Sequence, residues 1–169
     1  GVFSVNNNQL EVLFIKYHRE LYIYALSLCR NHHKAEDLVS DTFFKALLSL
    51  NDNTPYIKYW LFKVCKNLFL DKVRKDKNYT AVDNLEDILV TEKTPVDSIV
   101  DNENKKIVYQ QVMKLNPSYR EVIILYYYCD FTLKEIAKTT GLTEGAVKVM
   151  LYRARRKLKK LLEVNKGEL

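Results

Sequence analysis

The stretch TLKEIAKTTGLTEGAVKVMLYRARRKLKKL, residues 132–161, constrains the fold of this chain more than any other segment. Thr132 and Glu135 have the spacing of a capping box, in which each side chain bonds a backbone amide at the start of a helix. Gly141 follows, where a positive φ angle permits a sharp turn at little cost. Because Thr143 can cap a further helix, the stretch predicts a helix-turn-helix.

The second helix of this motif has an apolar face and a basic face. Its apolar residues alternate at spacings of four and three, the pattern of a stripe that packs inward. The stripe consists of Val147, Leu151, Ala154, Leu158 and Leu161. The opposite face is able to reach base edges or phosphates in the major groove of DNA. It carries Glu144, Lys148, Val149, Tyr152, Arg153 and Arg156, and Arg155 flanks the stripe, where it suits a contact with the DNA backbone.

Helical spacing recurs along the whole chain, so we predict an all-α fold. Four glycines and three prolines are few for 169 residues, and the apolar residues recur at helical spacing. Each proline follows a residue that can cap a helix, at Thr54-Pro55, Thr94-Pro95 and Asn116-Pro117. The predicted helices lie near residues 7–30, 34–50, 55–77, 95–114, 117–129, 133–139 and 144–162.

An acidic segment at residues 78–103 divides the chain into two predicted domains. Its periodicity is weak, and a loop longer than about 15 residues is uncommon inside one compact domain. We therefore expect two small helical bundles, at residues 1–77 and 104–169, joined by an acidic linker. The net charge of +6 is concentrated in the two bundles, which suits a polyanionic partner. No apolar run approaches the roughly 20 residues of a membrane span, and three isolated cysteines predict buried, reduced thiols in a cytosolic protein.

The first predicted bundle combines an acidic helix with an aromatic and basic one. In HKAEDLVSDTFFKALLSL, residues 33–50, three acids fall on the exposed side, and Leu38 can face the core. The segment TPYIKYWLFKVCKNLFLDKVRK, residues 54–75, interleaves rings with positive charges, and single-stranded DNA stacks its bases on rings while cations follow its phosphates. An asparagine can also bond the edge of an extruded base. The candidates are Tyr56, Lys58, Trp60, Lys63, Asn67 and Arg74, although Trp60 could equally belong to the core.

Taken in order, these motifs resemble the bacterial RNA polymerase sigma factors of the extracytoplasmic-function group. AEDLVSDTFFKAL, then YWLFKVCKNLFLDKVRK, the acidic linker and the segment from LNPSYREVIILYYY to the end of the helix-turn-helix carry the resemblance, which spans about residues 10–162. It implies an alternative sigma factor that binds core RNA polymerase. The first bundle would be sigma domain 2, which melts and reads the −10 promoter element. The second would be sigma domain 4, which reads the −35 element as duplex.

The resemblance also implies roles for individual residues and partners. Glu36, Asp37, Leu38 and Asp41 would face the beta-prime coiled coil of the polymerase. Asn67 would meet a flipped −10 base, and the loop at residues 50–55 would help to form its pocket. Lys148, Val149, Tyr152 and Arg153 match the −35 contacts, and Ile123 and Tyr127 would dock on the beta flap. An anti-sigma factor is implied as a partner, no cofactor is expected, and the location would be cytoplasmic.

Other functions stay open at this point. A two-domain helix-turn-helix regulator could bind DNA without polymerase, but it leaves the acidic helix and the aromatic helix after it unexplained. A solvated charged helix or a membrane-surface helix would account for the basic charge but not for the turn residues before it. Enzyme activity is disfavoured, because Glu36, Asp37, Asp41 and Asp71 lack the Glu-x-x-His pairs of a helical metal bundle. Cys29, His32 and His33 have no second ligand set, so we predict no metal site.

Overall fold

A computed structural model describes residues 7–51, 56–80 and 103–167. Contacts divide the chain into two compact units, Gly1–Leu85 and Glu86–Leu169. The residues described are helical or irregular and contain no β-strand, which confirms the all-α prediction. Within the same residues, no helix has the length and apolar character that crossing a membrane requires. Two of the predicted helix N-termini, at Thr54-Pro55 and Thr94-Pro95, lie outside the described residues. Most of the predicted linker lies outside them as well.

In the described part of the first unit, three α-helices form a bundle in which each packs against the other two. Helix α1 spans Asn7–Cys29, α2 His32–Ser49 and α3 Ile57–Lys75, followed by a 3₁₀ turn at Lys77–Thr80. Its core includes Leu21, Tyr24, Leu38, Leu61 and Phe62, all with no exposed surface. The rings of Tyr24 and Phe62 lie 5.1 Å apart, so α1 and α3 meet through aromatic packing.

The turn between α1 and α2 is tight because two residues have conformations suited to it. Arg30 has a φ angle of 52°, and Asn31 caps α2 by accepting a 3.0 Å hydrogen bond from the amide of Lys34. Near the same turn, Lys34 Nζ donates to the carbonyl oxygen of Tyr79 at 3.1 Å and lies 4.8 Å from the centre of its ring. The 3₁₀ turn is thereby fixed to the start of α2.

All three cysteines are buried free thiols, as predicted. Burial raises the pKa of the Cys29 thiol to about 11 and that of the Cys65 thiol to about 12. Because the thiolate is the reactive species, both side chains act as small core residues rather than as nucleophiles.

Among the described residues 103–167, the second unit contains four α-helices. Helix α4 spans Glu103–Met113, α5 Pro117–Ile123, α6 Leu133–Thr140 and α7 Glu144–Gly167. The predicted start of α5 is confirmed, since Asn116 Oδ1 accepts a 2.9 Å bond from the Tyr119 amide and Pro117 opens the helix. The predicted helix near 117–129 is present, but its second half is not α-helical. There the chain widens into a π-helical turn at Ile124–Tyr128.

The π-helical turn changes which residues after α5 reach the core. The Cys129 amide donates a 3.1 Å hydrogen bond to the carbonyl oxygen of Ile124, five residues back. The Phe131 amide donates a 3.0 Å hydrogen bond to the carbonyl oxygen of Leu125. Asp130, with a φ angle of 56°, ends the segment. As a result Leu125, Cys129 and Phe131 are all buried within two turns of chain. No residue in this segment is a proline or glycine, so the sequence carried no local signal of the change.

A buried arginine stabilises the connection between α4 and α5. Arg120 is only 6% exposed, and its Nη1 donates to the carbonyl oxygens of Met113 and Leu115, each at 3.3 Å. These carbonyls lie at and just beyond the end of α4, where helical partners are lacking. The sequence alone would place such a residue on a solvated face.

Candidate nucleic-acid interface

The turn that places α7 is built by the side-chain chemistry predicted for it. Glu135 Oε1 accepts from the Thr132 amide at 3.0 Å, and Thr132 Oγ1 accepts from the Glu135 amide at 3.1 Å, so the capping box is confirmed. Gly141 ends α6 with a φ angle of 75°. Thr143 Oγ1 then accepts a 3.1 Å bond from the Ala146 amide at the start of α7. Local hydrogen bonds therefore fix the direction in which α7 leaves the turn.

Helix α7 buries the predicted stripe and exposes the opposite face. Val147, Leu151 and Ala154 are at most 1% exposed, and the later stripe residues Leu158 and Leu161 are half-buried. The face predicted to contact DNA is exposed throughout. It consists of Glu144, Lys148, Val149, Tyr152, Arg153 and Arg156.

The charges on this face are available to a ligand. Lys148 and Arg153 form no ion pair with any residue that the structure describes. The Arg156 guanidinium lies 5.8 Å from the ring centre of Tyr152, which holds a cation beside an aromatic face. Together the face offers unpaired cations and a ring, the chemistry that binds phosphates and base edges.

Arg155 differs from the other basic residues of α7. Its Nε donates to the hydroxyl of Tyr127 at 2.6 Å, and its guanidinium lies 5.6 and 5.4 Å from the ring centres of Tyr126 and Tyr127. Arg155 is therefore held against the π-helical turn, with its remaining N–H groups available. Tyr127 itself is 52% exposed, but Ile123 is 1% exposed. The assignment of Ile123 to a docking surface is therefore wrong, because its side chain packs inside the unit.

One face of α3 carries most of the residues predicted to meet single-stranded DNA. Lys63, Asn67 and Arg74 are exposed, and their spacing places them along one side of the helix with half-buried Trp60. Tyr56, 63% exposed, lies at the amino-terminal end of this face. Burial of Trp60 is thus partial.

Two further side chains modify this face, and one of them was missed from the sequence. Lys58 is half-buried and lies 3.9 Å from Glu20 Oε2, so part of its charge is already balanced within the unit. Leu70 is 43% exposed between Asn67 and Arg74 in the chain. A single exposed apolar side chain is common on protein surfaces, but the helical pattern of the sequence would place Leu70 in the core.

Helix α2 presents an acidic surface in the same unit. Glu36, Asp37 and Asp41 are all exposed, and Asp41 Oδ2 accepts a 3.0 Å bond from Lys72 Nζ on α3. Leu38 belongs elsewhere, because it has no exposed surface. Its assignment to a partner-binding surface is therefore wrong, and the apolar periodicity that places it in the core is confirmed.

The chain is similar to known proteins over both units. The family descriptions Sigma-70 region 2 and Sigma-70, region 4 match residues 13–79 and 105–158. The ECF RNA polymerase sigma factor SigM of Bacillus subtilis (strain 168) is 31% identical over 156 residues, covering 90% of this chain and 94% of SigM. SigW of the same strain, also an ECF RNA polymerase sigma factor, is 28% identical over 158 residues, covering 86% and 84%.

A solved structure extends the similarity to three dimensions. The sigma factor RpoE, crystallised in complex with the anti-sigma factor NepR from Bartonella quintana, matches with a TM-score of 0.64 and 27% sequence identity. The match covers 91% of this chain and 96% of that chain. The similarity therefore includes the acidic and aromatic helices of the first unit as well as the helix-turn-helix.

Proposed function

The chain belongs to the sigma-70 family of RNA polymerase sigma factors, in its extracytoplasmic-function group, and on that premise we propose that it directs core polymerase to promoters with two DNA-binding surfaces. The proposal assigns residues 1–77 to sigma domain 2, residues 78–103 to the linker and residues 104–169 to sigma domain 4. The observation that carries it is the presence of two separate cation-bearing faces, on α3 and α7, in two separate units. The protein acts without catalysis of its own, since polymerase carries out the chemistry.

The exposed face of α7 would read the −35 element as duplex DNA. Lys148, Val149, Tyr152 and Arg153 would reach the base edges, and Glu144 lies in the first turn beside them. Arg156 and Arg155 would contact the backbone, which agrees with the position of Arg155 at the border of the buried stripe. The unpaired state of Lys148 and Arg153 supports this role, because neither must give up an ion pair to bind a phosphate.

The exposed face of α3 would read the −10 element as a single strand. Asn67 would bond the edge of an extruded base, and Tyr56 and Trp60 would offer rings to stack on. Lys63 and Arg74 would follow the backbone. Lys58 and Arg74 would contribute less charge than Lys63, because Glu20 lies beside Lys58 and Asp71 pairs with Arg74.

The acidic surface of α2 would dock on core polymerase, at its beta-prime coiled coil, through Glu36, Asp37 and Asp41. Tyr127 is the remaining candidate for the beta flap, since it is exposed and held by Arg155. An anti-sigma factor is a further proposed partner, by analogy with the NepR complex of the Bartonella protein. A partner of core polymerase would work in the cytoplasm, and no cofactor enters the proposed mechanism.

Run-off transcription tests the function as a whole. Purified core RNA polymerase on a promoter library is expected to initiate at specific sites only when this protein is added. Initiation that does not depend on the protein would contradict the proposal. Sequence-specific duplex binding without any affinity for core polymerase would favour the alternative, a helix-turn-helix regulator that acts alone.

Two alanine variants test the division of labour between the units. Asn67→Ala is expected to lower discrimination at the −10 element by about tenfold, because one base contact contributes about 1–3 kcal/mol, while −35 duplex affinity stays unchanged. Arg153→Ala should lower the −35 duplex affinity and leave discrimination at the −10 element unchanged. Asn78→Ala is the matched control, since Asn78 is exposed but lies beyond α3. Loss of duplex binding in the Asn67 variant would mean that the domain roles are assigned wrongly.

A further inference from the structure

Two histidines and a glutamate come together in the first turns of α2. The ligand atoms of His32, His33 and Glu36 all lie within 4.8 Å of one another. His32 Nε2 is 3.4 Å from Glu36 Oε1, and the two imidazole rings have centres 5.3 Å apart. The sequence predicts no metal site, because a grouping of these histidines with Cys29 lacks a second ligand set; in the structure the third member is instead Glu36, from the next turn of the helix.

The distance between His32 and Glu36 fits a tetrahedral metal site. Metal–ligand bonds of about 2.0–2.1 Å in a tetrahedron place neighbouring ligand atoms roughly 3.4 Å apart. The pair already has this separation, at the i, i+4 spacing that points two side chains to one helix face. His33 is exposed, so its side chain can close the remaining distance by a change of torsion angle without moving the core.

A buried tyrosine holds the His32 ring in the orientation that a ligand needs. The Tyr22 hydroxyl on α1 lies 2.6 Å from His32 Nδ1, and Tyr22 is only 2% exposed. If Nε2 bound a metal, the Nδ1–H group would donate a hydrogen bond to the Tyr22 oxygen. Metal-binding histidines commonly donate the second ring N–H to a carboxylate, a backbone carbonyl or water, and here the tyrosine oxygen would take that place. This contact comes from a different helix and is independent of the spacing within α2.

We propose that His32, His33 and Glu36 bind a divalent transition metal of the zinc class, with the fourth position open. Two imidazoles and one carboxylate suit Zn²⁺ or Co²⁺ rather than Mg²⁺ or Ca²⁺, which take oxygen ligands. The amino-terminal end of a helix disfavours a cation by about 0.3–1 kcal/mol. That penalty is small beside the binding energy that three ligands contribute to a metal site.

Metal binding would also change the acidic surface of α2, a step that rests on the proposed function. Glu36 is one of the three exposed acids of that surface, and coordination would remove its negative charge from a basic partner. The bound metal ion would further place positive charge there. We therefore expect the bound metal to weaken docking on core polymerase.

The site is tested with the untagged full chain, freed of metal by a chelator and titrated with Zn²⁺ by calorimetry and with Co²⁺ by absorbance. One ion per chain is expected. His33→Gln and Glu36→Gln should each lower the affinity at least tenfold, and Tyr22→Phe should lower it by about 10–100-fold. Asp37→Asn, an exposed acid next to Glu36, is the matched control and should change it less than twofold. Equal affinities for the wild type, His33→Gln and Asp37→Asn would overturn the site.

Polymerase binding measured with and without Zn²⁺ separates the two parts of the inference. The wild type should lose affinity for core polymerase at least fivefold when Zn²⁺ is added, and His33→Gln should keep its affinity. An equal Zn²⁺ effect on both proteins would overturn the link to docking. Absence of polymerase binding in the metal-free protein would contradict the proposed function. The metal site itself would then stand or fall by the Zn²⁺ and Co²⁺ titrations alone.

Discussion

Replacing Arg120 by alanine is expected to destabilise the second unit by about 3 kcal/mol. The side chain is 6% exposed and donates to the carbonyl oxygens of Met113 and Leu115. A hydrogen bond from a charged donor contributes about 1.5–3 kcal/mol. Both bonds are long, at 3.3 Å, so we take the lower end of that range for each.

This loss is large for a unit of such size. Stability runs at roughly 0.05–0.15 kcal/mol per residue, which gives about 3–10 kcal/mol for the described residues 103–167. The variant therefore loses between a third and all of the stability of the second unit. Helix α7 depends on the packing of that unit, so −35 duplex binding should fall with it, while the first unit stays folded.

Amide hydrogen exchange in the full chain, followed by mass spectrometry, measures the change unit by unit. Peptides from α5 and α7 should exchange about a hundredfold faster in Arg120→Ala, because each 1.36 kcal/mol is a factor of ten. Peptides from α1 to α3 should not change. Arg156→Ala is the control, since an exposed arginine affects stability by less than about 0.5 kcal/mol. Exchange in Arg120→Ala within threefold of the wild type would refute the role of these two bonds.

Three further substitutions or treatments test separate parts of the structure. Gly141→Ala should destabilise the second unit by about 1–2 kcal/mol in urea unfolding, because the residue has a φ angle of 75° while its Cβ would meet no atom within 4 Å. Tyr127→Phe should lower stability by about 1 kcal/mol, and a double-mutant cycle with Arg155→Ala should show coupling of similar size. The Cys29 and Cys65 thiols should resist a thiol reagent at pH 8 in the native protein and react after unfolding, because burial raises the pKa of each. Rapid reaction of either thiol in the native state would contradict their burial.

The parts of the fold that sequence predicts well are those fixed by neighbouring residues. The starts of α5 and α6 follow from Asn116 and Thr132, whose side chains bond amides three residues ahead. Gly141 ends α6 for the same local reason. The inward stripe of α7 needs only helical periodicity, and Val147 and Leu151 are buried as it predicts. These features require no knowledge of the tertiary structure.

The parts that sequence missed depend on contacts between distant elements. The π-helical turn lets Cys129 and Phe131 enter the same core. No single residue in the turn indicates from the sequence that the α-helix gives way to a π-helix. Arg120 looks like a surface charge until the end of α4 is placed beside it. Leu38 shows a different error, because the periodicity of α2 placed it inward while the family resemblance placed it toward a partner. Leu38 has no exposed surface, so the inward position predicted from the periodicity is correct.

The ion pair between Asp41 and Lys72 bears directly on whether the acidic surface of α2 can bind a partner. The two side chains are 51% and 32% exposed, and their charged atoms are 3.0 Å apart. An exposed pair of this kind contributes about 0–1 kcal/mol, so a basic partner can replace Lys72 at little expense. Glu36 and Asp37 form no ion pair with a lysine or arginine among the described residues. The acidic surface is therefore open to a cationic partner. Among the described residues, Lys72 competes only weakly with such a partner for Asp41.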